Sequence, residues 1–212
     1  MITVYGRASS SNVQIVMWAI AELGLEVERL DYGGAYGLVD TPEYLAMNPN
    51  GLVPTMKDGD LTLWESGAIL RYLGARYGDD AFWPKEPAKR APLDMWAEWA
   101  KTTFGPTLFP IFMQCVRLPP SKRSPEALAA AAEAMKPVAL RLDARLGAGP
   151  WLAGAEFTFA DIPAGALLYH YFTMPFARAE TPSLSAYYAR LQERPAFAAH
   201  AMVSYESLMG RD

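Results

Sequence analysis

NPNGLVPTMKDGDLTLWES, the sequence of residues 48–66, places a proline ahead of a predicted β-hairpin and a Glu-Ser pair behind it. Asp58-Gly59 suits the positive φ angles of a tight turn, so the residues on either side are predicted to pair as antiparallel strands. Because proline has no N–H to give to a sheet, Pro54 fits only at a strand start or edge. If the Val53–Pro54 bond is cis, the backbone of Val53 can pair with a short extended peptide. The alternative is an ordinary trans proline that ends a loop.

The segments around this hairpin predict an α/β domain. Residues 1–5 favour a strand, and apolar residues recur at helical spacing over residues 13–23. Residues 27–31 alternate weakly as a second strand, and helical spacing returns over residues 66–77. The order is βαβ, an irregular loop, then ββα. This is the arrangement of a thioredoxin-like domain, which we predict over residues 1–80.

The remainder of the chain predicts helices only. Residues 81–87 are predicted to form a linker, because prolines and charges there interrupt any regular period. Residues 88–212 carry almost no strand signal and are predicted to form an all-helical C-terminal domain. Its first long helical pattern contains Pro106 and Pro110, which predict a kink or a break.

Net charge, hydropathy and cysteine content limit the classes of partner and the cellular compartment that we expect. The chain has 212 residues and a net charge of −4, without the basic runs that would indicate nucleic acid or an anionic membrane as partner. No apolar stretch reaches the ~18 residues of a membrane span, and the N-terminus does not resemble a signal peptide. Cys115 is the only cysteine. We therefore expect no disulfide, no cysteine–histidine metal site and a reducing, cytoplasmic location.

Four polar residues, Ser9-Ser10-Ser11-Asn12, precede the first predicted helix. Hydroxyls beside a helix N-terminus can stabilise an anion. Since no cysteine is near, the side chains can only stabilise a thiolate that a ligand brings. Lowering a thiol pKa from about 8.5 by two units needs roughly 2.7 kcal/mol. One or two hydrogen bonds to a charged acceptor, at ~1.5–3 kcal/mol each, are sufficient. The alternative is a serine-rich cap with spare hydroxyls.

A second helix start follows the hairpin at Glu65-Ser66. Ser66 is predicted to be the N-cap, and the unpaired N–H groups of the first turn favour a carboxylate ligand. The alternative is that Ser66 only caps the helix and that Glu65 is a favourable acid near its start.

The order and spacing of these motifs decide between the alternatives. Asn-Pro-x-Gly-x-Val-Pro, followed eleven residues later by Glu-Ser, resembles the glutathione-binding half of the glutathione transferase superfamily. The resemblance covers the whole chain, including a Thr158–Asp161 capping box, and is nearest to bacterial serine-type members. It implies the glutathione transferase fold and an enzyme with glutathione as co-substrate and no metal. The activated thiolate would attack an electrophilic, hydrophobic second substrate, and a homodimer is implied.

The resemblance implies which residues activate the thiol. Ser10 is similar to the activating hydroxyl of serine-type members. Asn12 is similar to the asparagine that some bacterial members use beside a serine or threonine. Ser9 and Ser11 remain alternatives, because three adjacent serines blur the register.

The resemblance also implies how the peptide is held. The Val53 backbone would pair with the cysteinyl part of glutathione, and Glu65 with Ser66 would hold its γ-glutamyl end. Family members often carry a basic residue near residues 51–52 for the glycyl carboxylate, and some have an arginine where this chain has Gly67. Because no basic residue stands at residues 51–52, the glycyl end is expected to be recognised more weakly, by backbone N–H groups of residues 50–52 or by Tyr36 or Asn50. Gly67 in place of the arginine leaves the subgroup open. The implied binding residues are Tyr36, Asn50, Leu52, Val53, Pro54, Glu65 and Ser66.

Aromatic residues of the helical domain are candidates for the second-substrate wall. The candidates are Trp96, Trp99, Phe104, Phe109, Phe112 and Met113, and the predicted wall consists of Trp99, Phe104, Phe112 and Met113. The alternative is that most of them pack in the core, as aromatics at helical spacing usually do.

Two further functions remain open. The missing basic residues near Leu52 suggest a non-catalytic binding or scaffold protein that keeps the fold. Glutathione-dependent disulfide or peroxide reduction needs no protein cysteine and is a third possibility. The lack of any cysteine before Cys115 argues against the glutaredoxin-like and cysteine-type branches of the superfamily.

Overall fold

Four short strands form one mixed sheet in the order β2-β1-β3-β4. Strand β1 runs parallel to β2, with Ile2 opposite Val27, and antiparallel to β3, with Ile2 opposite Asp58. The structure is a computed structural model that describes residues 1–212. The strands are β1 (Ile2–Tyr5), β2 (Val27–Leu30), β3 (Thr55–Asp58) and β4 (Leu61–Trp64).

Three helices complete the N-terminal α/β unit. Helix α1 makes the crossover between the parallel strands, and its apolar side, including Val13, Val16 and Ile20, is buried. The chain leaves α1 through Gly24 at φ +63°, a conformation that glycine adopts without strain. The helices are α1 (Ser11–Glu22), α2 (Pro42–Met47) and α3 (Ser66–Tyr77). This is the predicted βαβ-ββα order, and the thioredoxin-like part of the fold prediction is confirmed.

The rest of the chain contains helices and no paired strand. They are α4 (Pro87–Trp99), α5 (Gly105–Phe112), α6 (Pro125–Leu146), α7 (Asp161–Thr173), α8 (Pro182–Gln192) and α9 (Pro195–His200). Widened π-helical turns, Ala100–Phe104 and Met113–Arg117, flank α5. The first lies directly before Pro106, whose missing N–H removes a helical bond. The predicted break is absent, because helical segments follow one another without a gap from Pro87 to Arg117, with both prolines inside α5. The predicted kink stays a prediction.

Helix α7 lies at the centre of the packing between the two units. Gly165 lets Trp18 of α1 approach α7, since a Cβ there would lie 2.6 Å from the indole ring. Trp18 also packs edge-on against Phe197, with ring centroids 5.0 Å apart. Beside this contact, Arg194 forms a 2.6 Å ion pair with Glu22 of α1. The hydrophobic core is consequently continuous between the sheet side and the helical side.

The start of α7 is fixed by the buried carboxylate of Asp161. It accepts hydrogen bonds from the backbone N–H groups of Thr158 and Leu152, both at 2.9 Å, and from the Tyr187 hydroxyl at 3.0 Å. The carboxylate half of the predicted capping box is therefore present. Thr158 Oγ1 accepts from the N–H of Ala160 at 3.3 Å, where a complete box would use the N–H of Asp161.

The predicted linker is partly buried. Helix α3 ends at Tyr77 and α4 begins at Pro87, but Phe82 and Trp83 between them belong to the core. The division of the chain into residues 1–80, 81–87 and 88–212 stays a prediction. None of the helices combines the length and the hydropathy needed to cross a bilayer.

Candidate active site

A cleft of about 600 Å³ lies between the start of α1 and the helical domain. One wall is formed by Ser9, Ser10, Ser11, Asn12 and Ile15. The facing wall comes from the π-helical turn after α4, from α5 and from α7. The polar loop that the sequence singled out therefore meets the helical domain, as the predicted chemistry requires.

The loop presents unpaired donors to this cleft. Ser10 is the N-cap of α1 with an extended backbone, φ −87° and ψ 122°, but its side chain makes no capping bond. The first helical bond runs from the N–H of Gln14 to the Ser10 carbonyl, at 2.9 Å. The N–H groups of residues 11–13 and the hydroxyls of residues 9–11 have no partner within the protein. The arrangement can therefore stabilise an anion, as expected for a helix start.

Three side chains join the two helix starts to the helical domain. The Ser66 hydroxyl donates to Asn12 Oδ1 at 2.8 Å. Lys101, from the π-helical turn after α4, donates to Ser66 Oγ at 2.6 Å and to Asn12 Oδ1 at 3.3 Å. Burial lowers the pKa of the Lys101 ammonium, and the charge of Glu65 opposes this shift. The sequence had assigned no role to Lys101.

Gly67 makes room for this lysine. A Cβ at Gly67 would lie 3.2 Å from Cδ of Lys101 and 3.1 Å from Nη1 of Arg71, both tighter than ordinary contacts. Arg71 is paired with Asp94 at 2.8 Å and with Glu98 at 2.9 Å, and it also donates to the Gly67 carbonyl at 3.2 Å. Lys101, from the helical part of the chain, thus places a cation beside Ser66, next to a residue that has no side chain.

The start of α3 differs from its prediction by one residue. Glu65 is the N-cap, and Ser66 is already the first helical residue and is buried. Glu65 has φ +68°, a left-handed conformation that costs a non-glycine residue about 1–3 kcal/mol. As in any first helical turn, the N–H groups of residues 66–68 have no intrahelical partner, and no other group of the protein accepts from them. They form a second place where a carboxylate can bind.

The Val53–Pro54 peptide bond is cis, as predicted. Neither the N–H nor the C=O of Val53 is hydrogen-bonded within the protein. The loop before it is fixed by the Leu52 carbonyl, which accepts from the Tyr44 hydroxyl at 2.7 Å and from Asn48 Nδ2 at 2.8 Å. An extended peptide can therefore pair with a rigid backbone at Val53.

Comparison with known proteins agrees with this geometry. Residues 1–75 match the model of the glutathione S-transferase N-terminal domain, and residues 104–195 match that of the C-terminal domain. The glutathione S-transferase GstB of Escherichia coli strain K12 is 39% identical over 198 residues, which are 92% of this chain and 95% of GstB. The chain belongs to the glutathione S-transferase family. The predicted superfamily, the predicted fold and the prediction of an enzyme are confirmed.

Solved structures of the family are close to this one. The theta class glutathione S-transferase of Xanthomonas axonopodis pv. citri, with glutathione bound, is 43% identical with a TM-score of 0.91, covering 96% of this chain and 98% of that one. Glutathione S-transferase I from maize, in complex with an atrazine–glutathione conjugate, is 27% identical with a TM-score of 0.85, covering 97% and 98%.

The predicted second-substrate wall of this family member needs correction. Phe112 lines the cleft, whereas Trp99 and Met113 do not. Phe104 is fully buried and packs between Trp99 and Tyr171. Of the wall candidates, Phe109 and Phe112 line the cleft, and the widened turn before α5 brings further residues of this stretch beside them. The cleft-facing residues of this stretch are Ala100, Lys101, Gly105, Pro106, Leu108, Phe109 and Phe112.

The residues predicted near the glycyl end lie outside this cleft. Tyr36 and Leu52 are 54% and 64% exposed. The N–H and the side-chain amide of Asn50 both donate to Asn48 Oδ1, at 3.1 and 3.0 Å. The Asn50 N–H is therefore already in use, and the roles of these residues at a glycyl carboxylate stay predictions.

Proposed function

We propose that this chain is a glutathione transferase that binds glutathione, lowers the pKa of its thiol and directs the thiolate at an electrophilic second substrate. The observation that carries the proposal is the hydrogen-bonded link Lys101–Ser66–Asn12. It connects the helix start suited to a carboxylate with the helix start suited to a thiolate.

The peptide is held at its cysteinyl part and at its γ-glutamyl end. The free N–H and C=O of Val53 pair with the cysteinyl backbone. The unpaired N–H groups at the start of α3 and the Lys101 ammonium hold the α-carboxylate of the γ-glutamyl part. The exposed Glu65 carboxylate binds its amino group. These contacts fix the cysteinyl sulfur relative to the start of α1.

The thiol is activated by hydrogen bonding. The Ser10 hydroxyl donates to the sulfur, with Ser9 and Ser11 as the alternatives, since all three line the cleft. Asn12 has its Oδ1 occupied by Ser66 and Lys101, which leaves its Nδ2 as the available donor. The thiol proton passes to solvent. The sulfur lone pair then forms the S–C bond, and in a displacement the leaving group departs with its electron pair.

The serine register can be tested by titrating bound glutathione. We expect the ultraviolet absorbance of the thiolate to give wild type a thiol pKa about two units below 8.5. Ser10→Ala should raise it by about one unit, because one hydrogen bond to a charged acceptor is worth ~1.5–3 kcal/mol. Ser9→Ala and Ser11→Ala are the matched controls and should leave it within a few tenths of a unit.

Three other outcomes of the titration and of turnover assays would change the proposal. An unshifted thiol pKa in wild type removes the mechanism. A rise in Ser11→Ala with none in Ser10→Ala moves the activating hydroxyl by one position. Tight binding of glutathione with no turnover of any electrophile would favour the non-catalytic scaffold over the enzyme.

Three finer features belong to the same proposal: a serine-type active site, a homodimer and a cytoplasmic location. The free hydroxyls of residues 9–11 support the first. The family assignment supports the second, and the single, buried Cys115 is compatible with the third. Analytical ultracentrifugation tests the dimer directly.

A further inference from the structure

The cleft beside the serine loop is lined by positive charge without any acid. Arg7, Lys101 and Arg117 contribute to its walls, together with His170, and no aspartate or glutamate does. The remaining lining consists of small polar and apolar residues. Clefts lined by one sign of charge concentrate ligands of the opposite sign.

Arg7 lies in this cleft without an anionic partner. Its side chain forms no ion pair, and its Nε is buried with no hydrogen-bond acceptor. Burial and the charge of Arg117 both lower the pKa of its guanidinium. The Arg7 side chain lies against Gly34, where a Cβ would be 3.1 Å from both Cδ and Nε of Arg7. A partly buried guanidinium that lies near a second cation and has no counter-ion is costly, and a bound anion would remove that cost.

Arg117 completes the pair from the helical domain. It ends the π-helical turn after α5 and forms no ion pair; its guanidinium lies 5.8 Å from the ring centroid of Phe112. Next to that ring is His170, with centroids 5.2 Å apart, and its Nε2 is buried without a partner. Because burial lowers the pKa of His170 to about 4, the imidazole is neutral at physiological pH.

Glutathione does not account for these two arginines. In the proposed function its γ-glutamyl carboxylate binds at Ser66, where Lys101 already supplies a cation. The residues predicted for its glycyl carboxylate lie outside this cleft. Arg117 instead stands beside Phe112, on the face of the cleft opposite the serines. Arg7, just before the serine loop, and Arg117, on the helical side, thus line the same cleft and have no anionic partner within the protein.

We propose that the second substrate carries a carboxylate or a similar small anionic group, which Arg7 and Arg117 bind while its electrophilic carbon faces the serine loop. This inference rests on the proposed function and refines its substrate class. Arginine suits the task because its planar donor fork matches a carboxylate. Leu108, Phe109 and Phe112 would contact the apolar body of the molecule.

Two aryl chlorides that differ in one charge test the inference. The anionic probe is para-chloro-meta-nitrobenzoate, and the neutral one is the corresponding benzamide. In both, the thiolate forms the S–C bond and chloride leaves with the electron pair. Each kcat/KM is divided by the rate constant of the uncatalysed reaction with glutathione, which removes the difference in intrinsic reactivity.

We expect wild type to prefer the benzoate by about tenfold or more on this scale, since a charged hydrogen bond is worth ~1.5–3 kcal/mol. Arg7→Met and Arg117→Met should each lower the benzoate-to-benzamide ratio about tenfold. Arg141→Met, at an exposed position of α6 outside the cleft, is the matched control and should keep the wild-type ratio.

The outcomes separate this inference from the proposed function. Turnover of both probes with no preference, or a ratio that both cleft variants leave unchanged, overturns the inference and leaves the transferase. A rise in the KM for glutathione that is equal with both probes assigns the arginines to glutathione and also overturns it. No turnover of either probe, with an unshifted thiol pKa, rejects the proposed function and this inference with it.

Discussion

Replacing Asp161 with alanine is expected to lower the free energy of unfolding by about 4 kcal/mol, because buried donors lose their acceptor and each costs ~1–3 kcal/mol. The donors are the N–H groups of Leu152 and Thr158 and the hydroxyl of Tyr187. Urea unfolding at a fixed protein concentration measures the change. Glu156→Ala, at an exposed site five residues earlier, is the control and should stay within about 0.5 kcal/mol of wild type.

The pH dependence of the same site has a definite sign. Burial raises the pKa of Asp161 to about 6 from an ordinary value of 3.8. The native state therefore binds more protons than the unfolded state between these values. The contribution of Asp161 to the free energy of unfolding is complete below pH 3.8 and is lost as the pH rises through about 6.

Asp161→Asn isolates that dependence. His170 acts in the opposite direction over the same interval, because burial lowers its pKa to about 4 from 6.5. Its contribution is present above 6.5 and is lost as the pH falls through 4. Asp161→Asn keeps His170, so the contribution of His170 cancels when the two proteins are compared. The free energy of unfolding of wild type minus that of Asp161→Asn should therefore fall as the pH rises from 4 to 6. A difference that is flat or rises would contradict the buried, proton-binding carboxylate.

Features encoded within a few residues could be predicted from the sequence. The Asp58-Gly59 turn sets its own hairpin, and the Thr158–Asp161 contact spans a single helical turn. The strand and helix periods around them are also local. For these reasons the α/β domain and the helical domain were predicted in the right order.

Long-range contacts and the exact register could not be predicted. Lys101 lies 35 residues from Ser66 in the chain, and only the packing of the two domains brings them together. The widened turn before α5 departs from the α-helical period, so the predicted wall included Phe104, which is in the core. Three adjacent serines all face the cleft, so the activating one must be found by experiment.

Replacing Lys101 with methionine is expected to weaken glutathione binding about 30–100-fold, that is by about 2–3 kcal/mol. Methionine keeps an apolar stem beside Gly67 but removes the ammonium that donates to Ser66 and Asn12. The γ-glutamyl carboxylate would then have only backbone donors and the Ser66 hydroxyl. Calorimetric titration with glutathione measures the loss, and Lys89→Met, at an exposed position of α4, is the control.

The kinetic pattern shows at which step Lys101 acts. If the ammonium serves binding, the KM for glutathione rises while kcat at saturating glutathione falls less than about threefold. If the Lys101–Asn12 contact also positions the donor to the sulfur, kcat falls with it and the thiol pKa of bound glutathione rises. Unchanged affinity in Lys101→Met would mean that the γ-glutamyl carboxylate binds elsewhere. The hydrogen bonds among Lys101, Ser66 and Asn12 would then play no part in binding glutathione, and the proposed binding mode would be rejected.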